Sequence, residues 1–192
     1  IRDCLLSRGL GDVYKRQNME TTKNKTTLLI MAAGMGSRFG SLKQLALLGP
    51  HKKTLLHYSI YDAVHAGFDK IVFIIRRSFE NEFKEAVGKY AESLVETVYC
   101  FQEMDQLPGN LPPIQREKPW GTAHAIWAAK DHIHEPFSAI NADDFYGRDA
   151  FVKMHDFVAS NTDERCFSLA GYRLAATLSE NGTVSRLSLI HI

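Results

Sequence analysis

Residues 71–75 read IVFII, five apolar positions with no polar one between them. A strand with one wet face alternates apolar and polar side chains; a strand without a polar face is covered on both sides. That requirement excludes a simple sandwich or hairpin meander and asks for a sheet lying between two layers of helix. The surrounding pattern agrees. Further strands are expected at Thr27–Ala32, Lys70–Ile75, Glu96–Gln102, Phe137–Ala142 and Cys166–Leu174. Helical segments fall between them. Leu56, Ile60, Ala63 and Val64 follow helical spacing, and Gly67 stands where that helix would stop. Phe79–Gly88, Thr122–Asp131 and Asp149–Ser160 are the other helix candidates. Alternating strands and helices imply right-handed crossovers, hence a doubly wound, mainly parallel α/β sheet with helices on both faces.

The segment EMDQLPGNLPPIQREKP holds four of the six prolines, and the sequence predicts a loop there between the strand ending at Gln102 and the helix opening at Gly121. The chain ends read differently from its body. Residues 1–18 carry neither a secretory apolar region nor helical periodicity, and with 187–192 they resemble translated sequencing-adapter read-through. The expected division is a non-native or disordered tail at 1–18, one domain at 19–186 continuing past Arg186, and a non-native tail at 187–192.

The first strand runs into AAGMGSRFGSLKQ, two glycines followed by two cations. In open α/β sheets, ligands bind beyond the carboxyl ends of the strands. Glycines there let backbone N–H groups close on an anion. Two familiar phosphate loops do not fit. A Walker loop requires a Lys-Ser or Lys-Thr after its glycines, and none stands at that spacing. A dinucleotide turn requires a third glycine where this chain has Phe39, and an acidic residue after the second strand, whereas Asp62 falls in an expected helix. What remains is a glycine loop with two added charges, Arg38 and Lys43, suited to a triphosphate whose α-phosphorus is attacked.

MAAGMGSRFG with LKQ resembles the signature of the sugar-1-phosphate nucleotidylyltransferases, or NDP-sugar pyrophosphorylases, of the Rossmann-like nucleotidyltransferase fold. KPWGTAHAI resembles that family's base-side helix start, and INADDFYG its metal-bearing strand end. The three segments come in the family's order and span about residues 27–175. The resemblance implies transfer of NMP from an NTP, UTP or dTTP before CTP, to a sugar 1-phosphate or similar phosphorylated small molecule, with Mg2+ as cofactor and pyrophosphate released. It implies backbone contacts to the triphosphate from Ala33, Gly34, Gly36 and Ser37. Arg38 would hold the β- and γ-phosphates, and Lys43 the α-phosphate and the incoming phosphate. Gly121 and Thr122 would lie beside the base, and Asp143, before Asp144, would ligate the metal. The family's base-reading glutamine is replaced by Arg116, which leaves Gln102 and Gln115 as candidates. A second metal carboxylate is expected from beyond Arg186, so this stretch alone should bind nucleotide and turn it over poorly.

Two other readings stay open, a nucleotide-binding regulatory module without turnover and a cytidylyltransferase acting on a phosphorylated alcohol. A net charge of +1 leaves no electrostatic footprint for nucleic acid or an anionic membrane. No run nears the roughly 20 apolar residues of a membrane helix. Three cysteines without a paired spacing point to a reducing cytoplasm, and nothing in the sequence fixes an oligomeric state. The His132/His134 pair reads as a helix end, His124 as a supporting residue on its helix, Arg76 and Arg77 as a solvated strand exit, and Trp127 as core.

Overall fold

The computed structural model describes residues 25–34, 47–48, 50, 52–109, 120–161, 163 and 165–173. The proposed tails, Gly36, Ser37, Arg38, Lys43, Gln115 and Arg116 lie outside these residues.

Four parallel strands form the central sheet: β1 (Thr27–Met31), β4 (Lys70–Ile75), β5 (Glu96–Phe101) and β6 (Phe137–Asn141). Their order is β5-β4-β1-β6, and a two-stranded antiparallel ribbon, β2 (Leu47–Leu48) with β3 (Lys53–Thr54), stands apart. β4 is buried at every position, as its unbroken apolar run demands. Side chains of β1 alternate between two cores. Leu28 and Ile30 join Leu56, Ile60 and Ala63 of α1 (Leu55–Ala66) and Phe151 and Val158 of α5 (Arg148–Ser160) on one face. Leu29 and Ala33 meet Ala125 and Ala129, on and just after α4 (Thr122–Trp127), on the other. The doubly wound architecture is therefore as the sequence predicts. Cys100 lies in this second core, where burial pushes its thiol up to about 11 and keeps it neutral.

Helix α1 begins at Thr54, whose N–H donates to His57 Nδ1 at 3.3 Å, and ends at Gly67 in the left-handed region (φ 111). The Gly67 N–H reaches Ala63 O and Val64 O, closing the helix where the sequence places its stop.

Three segments depart from expectation. The helix anticipated over Phe79–Gly88 is a winding stretch: a 3-10 turn Arg77–Phe79, α2 (Glu80–Phe83), a π turn Lys84–Gly88 and α3 (Lys89–Glu92). Gly88 is no stop signal. A Cβ there would come within 2.2 Å of Tyr99 Oη, so the glycine lets β5 pass while the chain winds on. α4 ends at Trp127 rather than Asp131, because the N–H groups of Ala129, Lys130 and His132 turn back to carbonyls three residues earlier. Cys166–Leu174 is not a strand over its described part. Residues 166–173 pair with no strand among the described residues, and Phe167 and Leu169 are 89% and 78% exposed. A strand needs a partner's backbone as well as suitable side chains. Trp127 is half-buried rather than core, its ring against His124 and Lys130.

The amino ends of the strands are tied by a nearly buried ion pair. Lys70 Nζ donates to Glu135 Oε1 (2.9 Å) and to His132 O (2.5 Å). Thr27 Oγ1 and the His134 N–H also donate to that carboxylate. Burial alone would raise the Glu135 pKa, but these donors hold it at about 2. The depressed value sets the sign. The carboxylate's contribution is whole above its unfolded value of 4.5 and is lost as pH falls toward 2. Glu135→Gln should cost roughly 3 kcal/mol at neutral pH, a gap that narrows in acid. Thermal unfolding of both proteins across pH checks this, and a gap independent of pH would contradict it.

Candidate functional site

The strand order reverses direction between β1 and β6. From β1 the chain steps to β4 and β5 on one side, then crosses back to β6 on the other. At such a switch point the crossovers leave opposite faces of the sheet, and a crevice opens above the strand ends. β1 and β6 lead into it in register, Met31 beside Asn141. The Ala32 N–H is held by Ile74 O (2.8 Å) and the Ala142 N–H by Met31 O (3.1 Å). Neighbouring strands lie about 4.8 Å apart, so the segments carrying Ala33–Gly34 and Asp143 leave the sheet side by side. Ala33 is buried in the α4-side core, while the next residue, Gly34, and Asp143 are exposed.

The third wall is the start of α4. A crossover helix begins at the carboxyl edge of the sheet it covers, and Ala125 and Ala129 pack this one beneath Ala33. Gly121 and Thr122 are consequently exposed at the same edge. Gly121 has φ −71, which any residue adopts, and among the described residues nothing lies within 4 Å of a Cβ built there. Among the described residues, then, neither backbone conformation nor packing calls for a glycine here.

Gln102 is buried just past β5, its N–H on Ile75 O. Its amide Nε2 reaches Trp120 O (3.0 Å), Gly121 O (3.5 Å) and His124 Nδ1 (3.2 Å). The side chain read as a base contact thus holds the start of α4. His124, Trp120 and the loop after β5 complete this network, which the sequence marked only through the GTAHA segment.

Around Asp143 the geometry separates two adjacent carboxylates. Asp144 Oδ2 accepts from Asn141 Nδ2 (2.9 Å) and is half-buried, and Asp143 is the more exposed of the two. The Asn141 N–H donates to Tyr146 Oη (2.9 Å), and Tyr172 Oη donates to Tyr146 O (2.8 Å). Burial first, then the charges of Asp144 and Asp143, push the Tyr146 hydroxyl up to about 12 against the Asn141 bond, so it stays a neutral phenol. Arg77 stacks on Phe101 (4.2 Å) and lies 3.8 Å from Glu103. His132 and His134 are exposed, and no cluster of three metal-ligating side chains occurs among the described residues.

Ala33, Gly34, Gln102, Gly121, Thr122 and Asp143 are therefore gathered at one edge of the sheet. Fold and edge together define a doubly wound α/β domain with its crevice at the switch point. The sequence profile of the family described as nucleotidyl transferase matches residues 27–185, and the chain belongs to that family. It is 28% identical over 130 residues to the UTP--glucose-1-phosphate uridylyltransferase of Bacillus subtilis (strain 168), covering 60% of this chain and 43% of that protein. Among solved structures, a Bacillus anthracis protein assigned as a glucose-1-phosphate thymidylyltransferase, in complex with a sucrose, shares the fold. Its TM-score is 0.52 at 18% identity, over 69% of this chain and 50% of that one. A UDP-glucose pyrophosphorylase complexed with UDP-glucose aligns with TM-score 0.46 at 19% identity, over 69% and 53%. The chain thus spans about half the length of the relatives it matches.

Proposed function

We propose that the protein transfers NMP from an NTP to a sugar 1-phosphate and releases pyrophosphate. The observation that carries this reading is that the segments leading to Gly34 and Asp143 leave adjacent, registered strand ends at the switch point. In this reading a phosphate-cradling loop follows one and a cation-holding carboxylate stands on the other. The family assignment supports the reaction class, and the curated relative's name favours UTP among the nucleotides.

In this reading the backbone from Ala33 to Ser37 donates to the triphosphate, and the base lies along Gly121 and Thr122. A phosphate oxygen of the sugar attacks the α-phosphorus in line. The new P–O bond forms as the bond to the β-phosphate oxygen breaks, and pyrophosphate departs with that electron pair. Arg38 neutralises the leaving group, and Lys43 holds the two reacting phosphates together. The donor set suits Mg2+, which takes hard oxygens and commonly needs one or two carboxylates besides phosphate and water. Asp143, the more exposed of the two carboxylates, would hold it. When bound, the ion supplies charge neutralisation at the phosphates. No helix among the described residues is long and apolar enough to cross a membrane. The free thiols of Cys100 and Cys166 suit a cytoplasmic setting.

Screening the full-length protein for pyrophosphate release across the common NTPs and sugar 1-phosphates tests the reading. Release is expected only when an NTP, a sugar 1-phosphate and Mg2+ are all present, with UTP or dTTP preferred. Nucleotide binding without turnover on any pair would favour a regulatory module, and turnover only with CTP and a phosphorylated alcohol would favour a cytidylyltransferase.

A further inference from the structure

We propose that His124 is a positioning residue for the nucleotide base, acting through Gln102 and the loop that follows β5; this rests on the nucleotide reading above. The hydrogen bonds fix its tautomer. Trp120 O can only accept, so the Gln102 amide must present its NH2 there, at 3.0 Å. The same Nε2 lies 3.2 Å from His124 Nδ1, which must therefore accept. On the far side of the ring, Nε2 lies 2.5 Å from Gln106 O, which must receive a proton. The tautomer with its proton on Nε2 satisfies both contacts.

The ring thereby joins three pieces of chain: the residue after β5, the loop beyond it, and α4. Trp120 closes the cycle from the other side, its indole Nε1–H donating to Met104 O at 3.0 Å. The carbonyls that Gln102 engages belong to Trp120 and Gly121, the residues that set where α4 starts. None of these bonds touches β1 or β6. Loosening the cycle should displace Gly121 and Thr122 while Gly34 and Asp143 keep their places. The expected signature is a split: weaker nucleotide binding, with the chemical step and the sugar phosphate site spared.

Trp120 and Trp127 flank His124 with ring centroids at 6.0 and 5.6 Å, so tryptophan emission is sensitive to the ring between them. His124→Phe keeps a ring between them and removes both hydrogen bonds; His124→Gln restores a donor toward Gln106 O. In the full-length protein, followed by tryptophan emission and by steady-state kinetics with UTP and dTTP, His124→Phe should raise the nucleotide Kd and KM about tenfold, the worth of one or two hydrogen bonds. The kcat and the sugar 1-phosphate KM should stay within about twofold on the same reasoning. His124→Gln should recover most of the loss. Gln102→Leu should weaken binding alone but add little in the His124→Phe background, because the two residues act as one unit. Wild-type affinity in His124→Phe, a fall in kcat at unchanged KM, or full additivity with Gln102→Leu would overturn the proposal. Thermal melts separate misfolding from mispositioning, and His124→Gln and Gln102→Leu carry the test if His124→Phe does not fold. A wild-type protein that binds neither UTP nor dTTP would overturn the nucleotide reading itself, and this inference with it.

Discussion

Asp143→Asn is expected to lower pyrophosphate release by about 10³-fold while the protein melts close to its wild-type temperature. The two halves of that expectation have separate grounds. Asp143 is exposed and follows the last paired residue of β6, so no core packing depends on its charge. An amide has nearly the same shape and keeps one acceptor oxygen, but it lacks the negative charge that draws a divalent ion into the crevice. Losing a metal's alignment and neutralisation of the phosphates costs several kcal/mol in the transition state, and about 1.4 kcal/mol is tenfold in rate. The activity that remains should require more Mg2+ than the wild type. Asp144→Asn provides the contrast, since its carboxylate is the less exposed of the two, and its effect should be much the smaller. Equal losses in the two variants would mean that the metal is shared between the carboxylates. Near wild-type rates in Asp143→Asn would remove it from the site.

Arg38→Ala and Lys43→Ala should each cut turnover on the order of 10³-fold, with stability changed by no more than about 0.5 kcal/mol. Charge accumulates on the pyrophosphate as it leaves, and a fixed cation there acts mainly in the transition state. The loss should therefore appear in kcat more than in nucleotide affinity. Arg38→Lys is informative, because an ammonium restores the charge without the two-pronged donor geometry. Partial recovery would assign Arg38 to charge alone; no recovery would assign it to orientation as well. If both alanine variants turn over at wild-type rates, the cations are solvated surface groups and the loop holds no triphosphate.

The strands were legible because burial on two faces leaves an unmistakable mark. β4 runs Lys70–Ile75 as its apolar run predicts, and β1, β5 and β6 each stop one residue short of expectation. Gly67 was legible as a stop because its left-handed turn closes the helix whose spacing precedes it. The part Gly88 plays was not legible, because it makes room for Tyr99, eleven residues on and in another element, a relation that helical spacing does not carry. The strand expected at Cys166–Leu174 shows the same limit, since a run of residues does not reveal the strand it must pair with. The placement of Gly34, Gly121 and Asp143 at one edge of the sheet was legible through motif order and strand position. Gln102 was found as a residue, but its engagement with Trp120 and His124 depends on a fold that brings β5 and α4 together.

The central claim is that triphosphate and metal meet between the ends of β1 and β6. Crystals grown with UTP and Mn2+ in place of Mg2+ test it most directly, because anomalous scattering locates the ion without reference to any assumed pose. The account predicts one manganese peak about 2.1 Å from an Asp143 carboxylate oxygen, bridging to phosphate oxygens that lie along the Ala33–Gly36 backbone, with uracil against Gly121. A nucleotide bound elsewhere, or a manganese ion on other carboxylates with Asp143 empty, would contradict it.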